Sequence, residues 1–279
     1  MNYTITQADM DGYCLSLLTE ERSAGTIQKY RRDLAAFARW IGGAAVTKEA
    51  AVHWRSHLLE RGYKPETINS KLSAINGFFA YMNWAIRVKF LKIQRKLFRD
   101  PARELSRQEY DRLLTTARET GQERLALIME TLCATGIRVS ELRYITVEAA
   151  RVGRTTITLK GKIRTILLPA KLCRKLVKYA KKQKTASGEI FLTKSGRPIT
   201  RRQVWYELKR LCKAAGVEAS KVFPHNLRHL FATTFYRACR DIVRLADMLG
   251  HSSIDTTRIY LMVSGAEQQR QLDRLGLVS

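Results

Sequence analysis

Thr155-Thr156-Ile157-Thr158-Leu159-Lys160-Gly161-Lys162-Ile163-Arg164-Thr165-Ile166-Leu167-Leu168-Pro169 is the stretch that decides the fold class. It is the one clear β interruption in a chain whose other periodic segments read as helices. β-Branched residues dominate both halves and Gly161 separates them, so the stretch predicts a hairpin. Downstream, Thr200 and Gln203 have capping-box spacing, and Val204, Leu208 and Leu211 set a helix whose other side carries Arg201, Arg202, Lys209 and Arg210. That helix is a candidate DNA-contacting element.

Upstream, Ile27, Tyr30, Leu34, Phe37 and Ile41 recur at spacings of three and four, which paints one apolar stripe down a helix that Gly42 and Gly43 end. A later helix opens at Pro65 and carries Ile68, Leu72, Ile75 and Phe79 on one side. Its other side shows Thr67, Asn69, Ser70, Lys71, Ser73 and Asn76, a surface that suits a DNA groove as well as plain solvent. Between about residues 86 and 100 the pattern breaks into Arg87, Lys89, Lys92, Arg95, Lys96 and Arg99, and then Asp100-Pro101. A basic linker is the reading. The sum is a mainly α protein with a small β-sheet: a helical region over 1–86, a linker over 87–103, and a mixed α/β domain over 104–279.

The 279 residues include 50 Lys and Arg against 25 Asp and Glu, a formal charge of +25. A polyanionic partner follows from that excess. The bases are spread along the chain instead of flanking one apolar helix, which favours nucleic acid over an anionic membrane surface. Residues 1–6 have neither a basic n-region nor an apolar h-region, and no stretch approaches the ~18 apolar residues of a spanning helix. No membrane association and a cytoplasmic location are the expectations. Five cysteines, odd in number and without a C-x-x-C pair, indicate neither a disulfide framework nor a zinc ribbon and read as buried free thiols.

Chemistry concentrates in three places. In Pro224-His225-Asn226-Leu227-Arg228-His229, Pro224 favours a helix start and His225 and Arg228 fall three apart on one face. A guanidinium there can grip two phosphate oxygens while the imidazole moves a proton near neutral pH. His225 and His229 have zinc-helix spacing, but Asn226 stands where that motif needs Glu and no third ligand is near, so no metal is expected. In Leu249-Gly250-His251-Ser252-Ser253, Gly250 ends a helix and His251 follows it; Tyr260 lies nine residues on, after the candidate N-cap Asp255. Taken alone, Tyr260 reads as packing beside Ile259 and Leu261. In Ala134-Thr135-Gly136-Ile137-Arg138-Val139-Ser140-Glu141-Leu142, Arg138 sits at a tight junction between helices with Glu141 as a candidate partner, which alone reads as a structural ion pair.

Together these segments resemble the tyrosine recombinase (phage integrase) family, in its compact two-domain Xer-like form. Residues 134–142 look like the family's first arginine box, 225–233 like its H-x-L-R-H segment, and 249–260 like its final box with the nine-residue step from histidine to tyrosine. The resemblance implies a SAM-like core-binding domain ahead of the catalytic domain. It also implies that Tyr260 attacks a DNA phosphate to give a 3′-phosphotyrosine and a free 5′-hydroxyl. Arg138 and Arg228 would hold the non-bridging oxygens, Lys160 would protonate the leaving 5′-oxygen, His225 would transfer a proton and His251 would hydrogen bond the transition state. The family commonly has Gly-Lys-Gly at the hairpin where this chain has Leu159-Lys160-Gly161-Lys162, so Lys162 and Arg164 stay open as alternatives to Lys160. No cofactor is implied, since two arginines replace a metal's charge. The implied partners are double-stranded DNA, a homo-tetramer on that DNA and accessory directionality proteins, with residues 266–275 as a helix docking on a neighbouring protomer. Relaxation of the type IB topoisomerase kind, or DNA-bound regulation without catalysis, are the competing activities.

Overall fold

The structure, a computed structural model, describes residues 3–94, 101–159, 162–193, 195–251, 253–260, 268–270 and 273–275. The chain divides into two compact units, residues 1–95 and 96–279.

Four helices build the described part of the first unit: α1 (Gln7–Thr19), α2 (Ala24–Ile41), α3 (Lys48–Glu60) and α4 (Pro65–Tyr81). The side-chain oxygens of Thr6, Ser23 and Thr47 accept from the first-turn amides of α1, α2 and α3, and α4 starts on Pro65, whose missing N–H is no loss in a first turn. The apolar stripes meet as expected. Leu34 and Phe37 of α2 and Ile68, Leu72, Ile75, Phe78 and Phe79 of α4 are fully buried around Trp54 of α3.

On the polar side of α4 two asparagines serve the protein's own backbone. Asn69 donates from Nδ2 to the Leu91 carbonyl (2.9 Å) and accepts from the Leu91 amide (2.8 Å), and Asn76 makes the same pair of bonds with Val88 (2.9 and 3.0 Å). Residues 88–91 run beside α4 without a strand partner, so their backbone groups need side-chain acceptors and donors. The two asparagine amides supply them. Lys71 is committed as well: with Lys29 it neutralises the buried Asp33 at 3.1 and 2.7 Å.

The second unit opens with α5 (Arg107–Glu119), started by the reciprocal Ser106/Glu109 capping box, and α6 (Glu123–Thr135). Leu125 to Met129, Thr131 and Leu132 of α6 are buried, which makes it the central helix of this unit. Gly136 ends it at φ +64, and a 3₁₀ turn (Val139–Tyr144) and α7 (Val147–Val152) lead into the predicted hairpin. Strands β1 (Arg154–Leu159) and β2 (Lys162–Leu167) pair antiparallel with Ile157 opposite Arg164 and Thr155 opposite Ile166. Then follow α8 (Ala170–Lys182), α9 (Arg201–Ala215), α10 (Pro224–Cys239), α11 (Ile242–Leu249), α12 (Ile254–Thr257) and a final 3₁₀ turn, Arg258–Tyr260. The Thr200/Gln203 capping box forms. The N-cap of α12 is Ser253, not Asp255: the Ser253 hydroxyl accepts from the Asp255 amide at 3.2 Å.

Phe231 and Ala232 of α10, Leu245 and Leu249 of α11 and Tyr260 form a small apolar cluster apart from the main core. It is this cluster that seats Tyr260. The cysteines are free, but Cys239 is exposed and only Cys212 is fully buried, because Cys239 falls in the last turn of α10, on its open side. Lys160 and, in the expected tail helix over 266–275, Ala266, Glu267, Gln271 and Leu272 lie outside the described residues.

Truncating Asn76 to Ala should leave the buried Val88 amide and carbonyl without partners. The expected loss is about 1–3 kcal/mol, read as a lower denaturant midpoint for the N-terminal unit.

Candidate active site

The site is organised by Arg228, on the first turns of α10 and only 3% exposed. A buried guanidinium must have acceptors. Its Nη1 donates to the Gly136 carbonyl (2.5 Å), and its Nη2 donates to the Leu249 carbonyl (2.7 Å) and lies 3.0 Å from His251 Nε2. Both carbonyls belong to helix C-termini, those of α6 and α11, where the backbone carries partial negative charge and leaves acceptors free. Burial first, and Arg138 next, pull the Arg228 pKa down to about 10, against the pull of the Tyr260 hydroxyl. The group remains a cation at neutral pH. Glycine is required at 136: at φ +64 a Cβ there would stand 2.3 Å from the Phe231 ring.

His251 follows α11 directly. Its Nδ1 lies 2.8 Å from the hydroxyl of Thr257, which is fully buried on α12. Tyr260, 3% exposed, stacks on the His251 ring at 6.1 Å and 13°, and meets the His229 ring edge-on at 4.9 Å. Burial, then Arg228, Arg138 and Arg164, lower the His251 pKa from its ordinary 6.5 to about 4, so the ring is neutral. His225 opens to solvent on the first turn of α10, yet partial burial and then Arg228, Arg138 and Arg201 lower its pKa also.

The second arginine is held by a carboxylate. Glu141, with no exposed side-chain surface, accepts from the Arg138 amide (2.7 Å) and Arg138 Nη1 (3.1 Å), and also from Arg164 Nη2. The Arg138 side chain is 46% exposed and enters a cleft shared with Arg164, Asp247 and His251. Arg164 is sunk, 13% exposed, and donates from Nη1 to the Met248 carbonyl (3.1 Å). Burial, ahead of Arg138, depresses its pKa, with Glu141 acting the other way. Gly250 makes its passage possible, since a Cβ at 250 would stand 2.6 Å from Arg164 Cδ.

The structure thus brings Arg138, His225, Arg228, His251 and Tyr260 into one electrostatically coupled group. Thr257 was not among the sequence candidates for the site; Glu141, expected as the partner of Arg138, also clamps Arg164, which the sequence left open as an alternative to Lys160. The arrangement can bind a phosphodiester between two cations beside a phenol and two neutral imidazoles. Among the described residues no cluster of His, Cys, Asp and Glu is placed to hold a metal ion.

Residues 103–267 match the phage integrase family, and residues 10–85 match the phage integrase N-terminal SAM-like domain. The chain is 30% identical over 269 residues to the tyrosine recombinase XerA of Thermococcus kodakarensis, covering 93% of this chain and 92% of that one. It is 32% identical over 269 residues to the tyrosine recombinase XerD of Xanthomonas campestris pv. campestris, covering 86% and 82%. The fold is shared with a lambda integrase tetramer bound to a Holliday junction, at a TM-score of 0.74 and 19% identity over 93% of this chain and 77% of the other.

Two outcomes are expected. Gly250→Ala and Gly216→Ala each force an alanine into left-handed backbone (φ +62 and +58), costing about 1–2 kcal/mol. Only at 250 does the methyl also strike Arg164, with nothing within 4 Å at 216, so thermal denaturation should show the larger loss for Gly250→Ala. The depressed His251 pKa fixes a pH trend. The unfolded chain takes up the proton first as pH falls, so the stabilisation is complete above about 6.5 and is lost toward about 4. Urea midpoints measured across that window should fall less steeply in His251→Gln.

Proposed function

This chain belongs to the phage integrase family of tyrosine recombinases, and from that premise we propose that it recombines double-stranded DNA at specific sites through a 3′-phosphotyrosine bond to Tyr260. The observation that carries the residue assignment is the contact of Arg228 with His251 at 3.0 Å under a Tyr260 ring stacked on that same imidazole. A phenol in water has a pKa of about 10 and is a weak nucleophile near neutral pH, so it needs a proton acceptor and strong charge stabilisation. Arg138 and Arg228 take the non-bridging oxygens and offset the charge that develops as the Tyr260 oxygen bonds to phosphorus. His225, neutral and on the open side of α10, receives the phenol proton. Lys160 protonates the 5′-oxygen as its bond to phosphorus breaks. His251 hydrogen bonds the phosphate in the transition state. The phosphotyrosyl bond retains the energy for rejoining, so no metal ion or nucleotide is needed.

Residues 1–86 form the core-binding domain, 87–103 the basic linker and 104–279 the catalytic domain. Exchange between two duplexes needs four active sites, so the working assembly is a homo-tetramer on DNA with residues 266–275 reaching a neighbouring protomer, in the cytoplasm, with accessory proteins setting direction. The charge of +25 makes affinity fall with added salt as counterions are released on binding.

The test is covalent trapping on a sequence-randomised pool of nicked duplexes. The native protein should yield a denaturation-resistant adduct and Tyr260→Phe none, with duplex binding retained. An adduct formed by Tyr260→Phe would remove Tyr260 from the role.

A further inference from the structure

His251 has two ring nitrogens with unlike neighbours. A guanidinium has donors only, so the 3.0 Å contact with Arg228 Nη2 requires a lone pair on His251 Nε2. A neutral imidazole then carries its proton on Nδ1, and that proton points to the Thr257 hydroxyl 2.8 Å away. Thr257 is fully buried and sits three residues before Tyr260, on the short segment that ends in the tyrosine. The same segment therefore carries the phenol and grips the far edge of the imidazole.

We propose that Thr257 is a positioning residue that holds the ring plane of His251 and, together with Arg228, its resting Nδ1–H tautomer, so that Nε2 faces Arg228 and the phosphate position only while the Tyr260 segment is docked. The proposal rests on the reading of this site as the place of strand cleavage. The side chain must be a hydroxyl, because a hydroxyl both accepts and donates. It accepts from Nδ1–H in the free protein. When a phosphate oxygen displaces the Arg228 contact, Nε2 must present an N–H. The ring then gives its Nδ1 proton to solvent water and takes a proton from solvent water at Nε2, with no net change in protonation of ring or solvent, and the Thr257 hydroxyl turns to donate to the bare Nδ1. A valine has nearly the same shape and can do neither.

The experiment has two arms. In the first, ¹⁵N shifts of labelled histidine in the full chain should show His251 protonated at Nδ1 in the native protein and in Thr257→Ser, and a mixture of tautomers in Thr257→Val. A native His251 protonated at Nε2 overturns the proposal, whatever the variants do. In the second, adduct formation on the nicked-duplex pool should fall about 10- to 100-fold in Thr257→Val with duplex binding unchanged, and stay within about threefold of native in Thr257→Ser. Equal rates in Val and native protein overturn it as well. Failure of the native protein to form any adduct would sink the cleavage reading instead, and the tautomer measurement would still decide the role of Thr257.

Discussion

A guanidinium taken out of water has to find acceptors or it unfolds its surroundings, and in this protein that constraint shapes the catalytic unit. Arg228 finds them at the ends of two helices. α6 stops at Gly136 and α11 stops at Leu249-Gly250, and the carbonyls freed at those ends converge on one side chain. The left-handed glycines therefore do more than terminate helices: each turns the chain sharply just where its carbonyl is needed, and each leaves room for a neighbour, the Phe231 ring at 136 and the Arg164 side chain at 250. His251 and Tyr260 are then carried into place by the chain that leaves α11.

Glu141 plays the complementary part. A buried carboxylate stripped of its partners would be strongly destabilising, and here it is satisfied from the Arg138 backbone, the Arg138 side chain and Arg164. Because Arg164 also reaches the Met248 carbonyl, the hairpin, the arginine junction and the end of α11 are tied through one ion pair and one hydrogen bond. Arg138 is left half exposed, with one edge anchored and the other free for an anion.

Helix limits, the hairpin and the family segments were readable from sequence because they are local: periodicity, Pro65 and Pro224 at helix starts, Gly42, Gly136 and Gly250 at helix ends, and a β-rich run split at Gly161. What escaped was what depends on tertiary pairing. In β2 the apolar Ile163 and Leu167 point outward at 72% and 65% exposure while Arg164 points inward, the reverse of what hydropathy suggests, because Arg164 shares the inner face with Ile166 and has Glu141 waiting there. Asn69 and Asn76 looked like a recognition surface because the backbone they serve, at residues 88–91, lies 12 to 22 residues away in sequence. Thr257 carried only the signal of its place one helical turn before Tyr260, and nothing local reveals that a histidine six residues back will turn toward it.

Glu141 answers Arg138 and Arg164, Arg228 is held by carbonyls and by an imidazole, and both neighbouring histidines are neutral, so the resting site holds unbalanced positive charge; burial is the first cause of the lowered Arg164 and Arg228 pKa values, and repulsion from Arg138 adds to it. A phosphodiester arriving between them relieves it. Substrate occupancy and thermal stability are thereby linked: the folded catalytic unit is a ligand-stabilised state whose melting temperature rises with the concentration of a fitting anion. An enzyme built this way is strained when idle and relaxed when loaded, so part of the free energy of holding its substrate is the release of a repulsion already built into the fold.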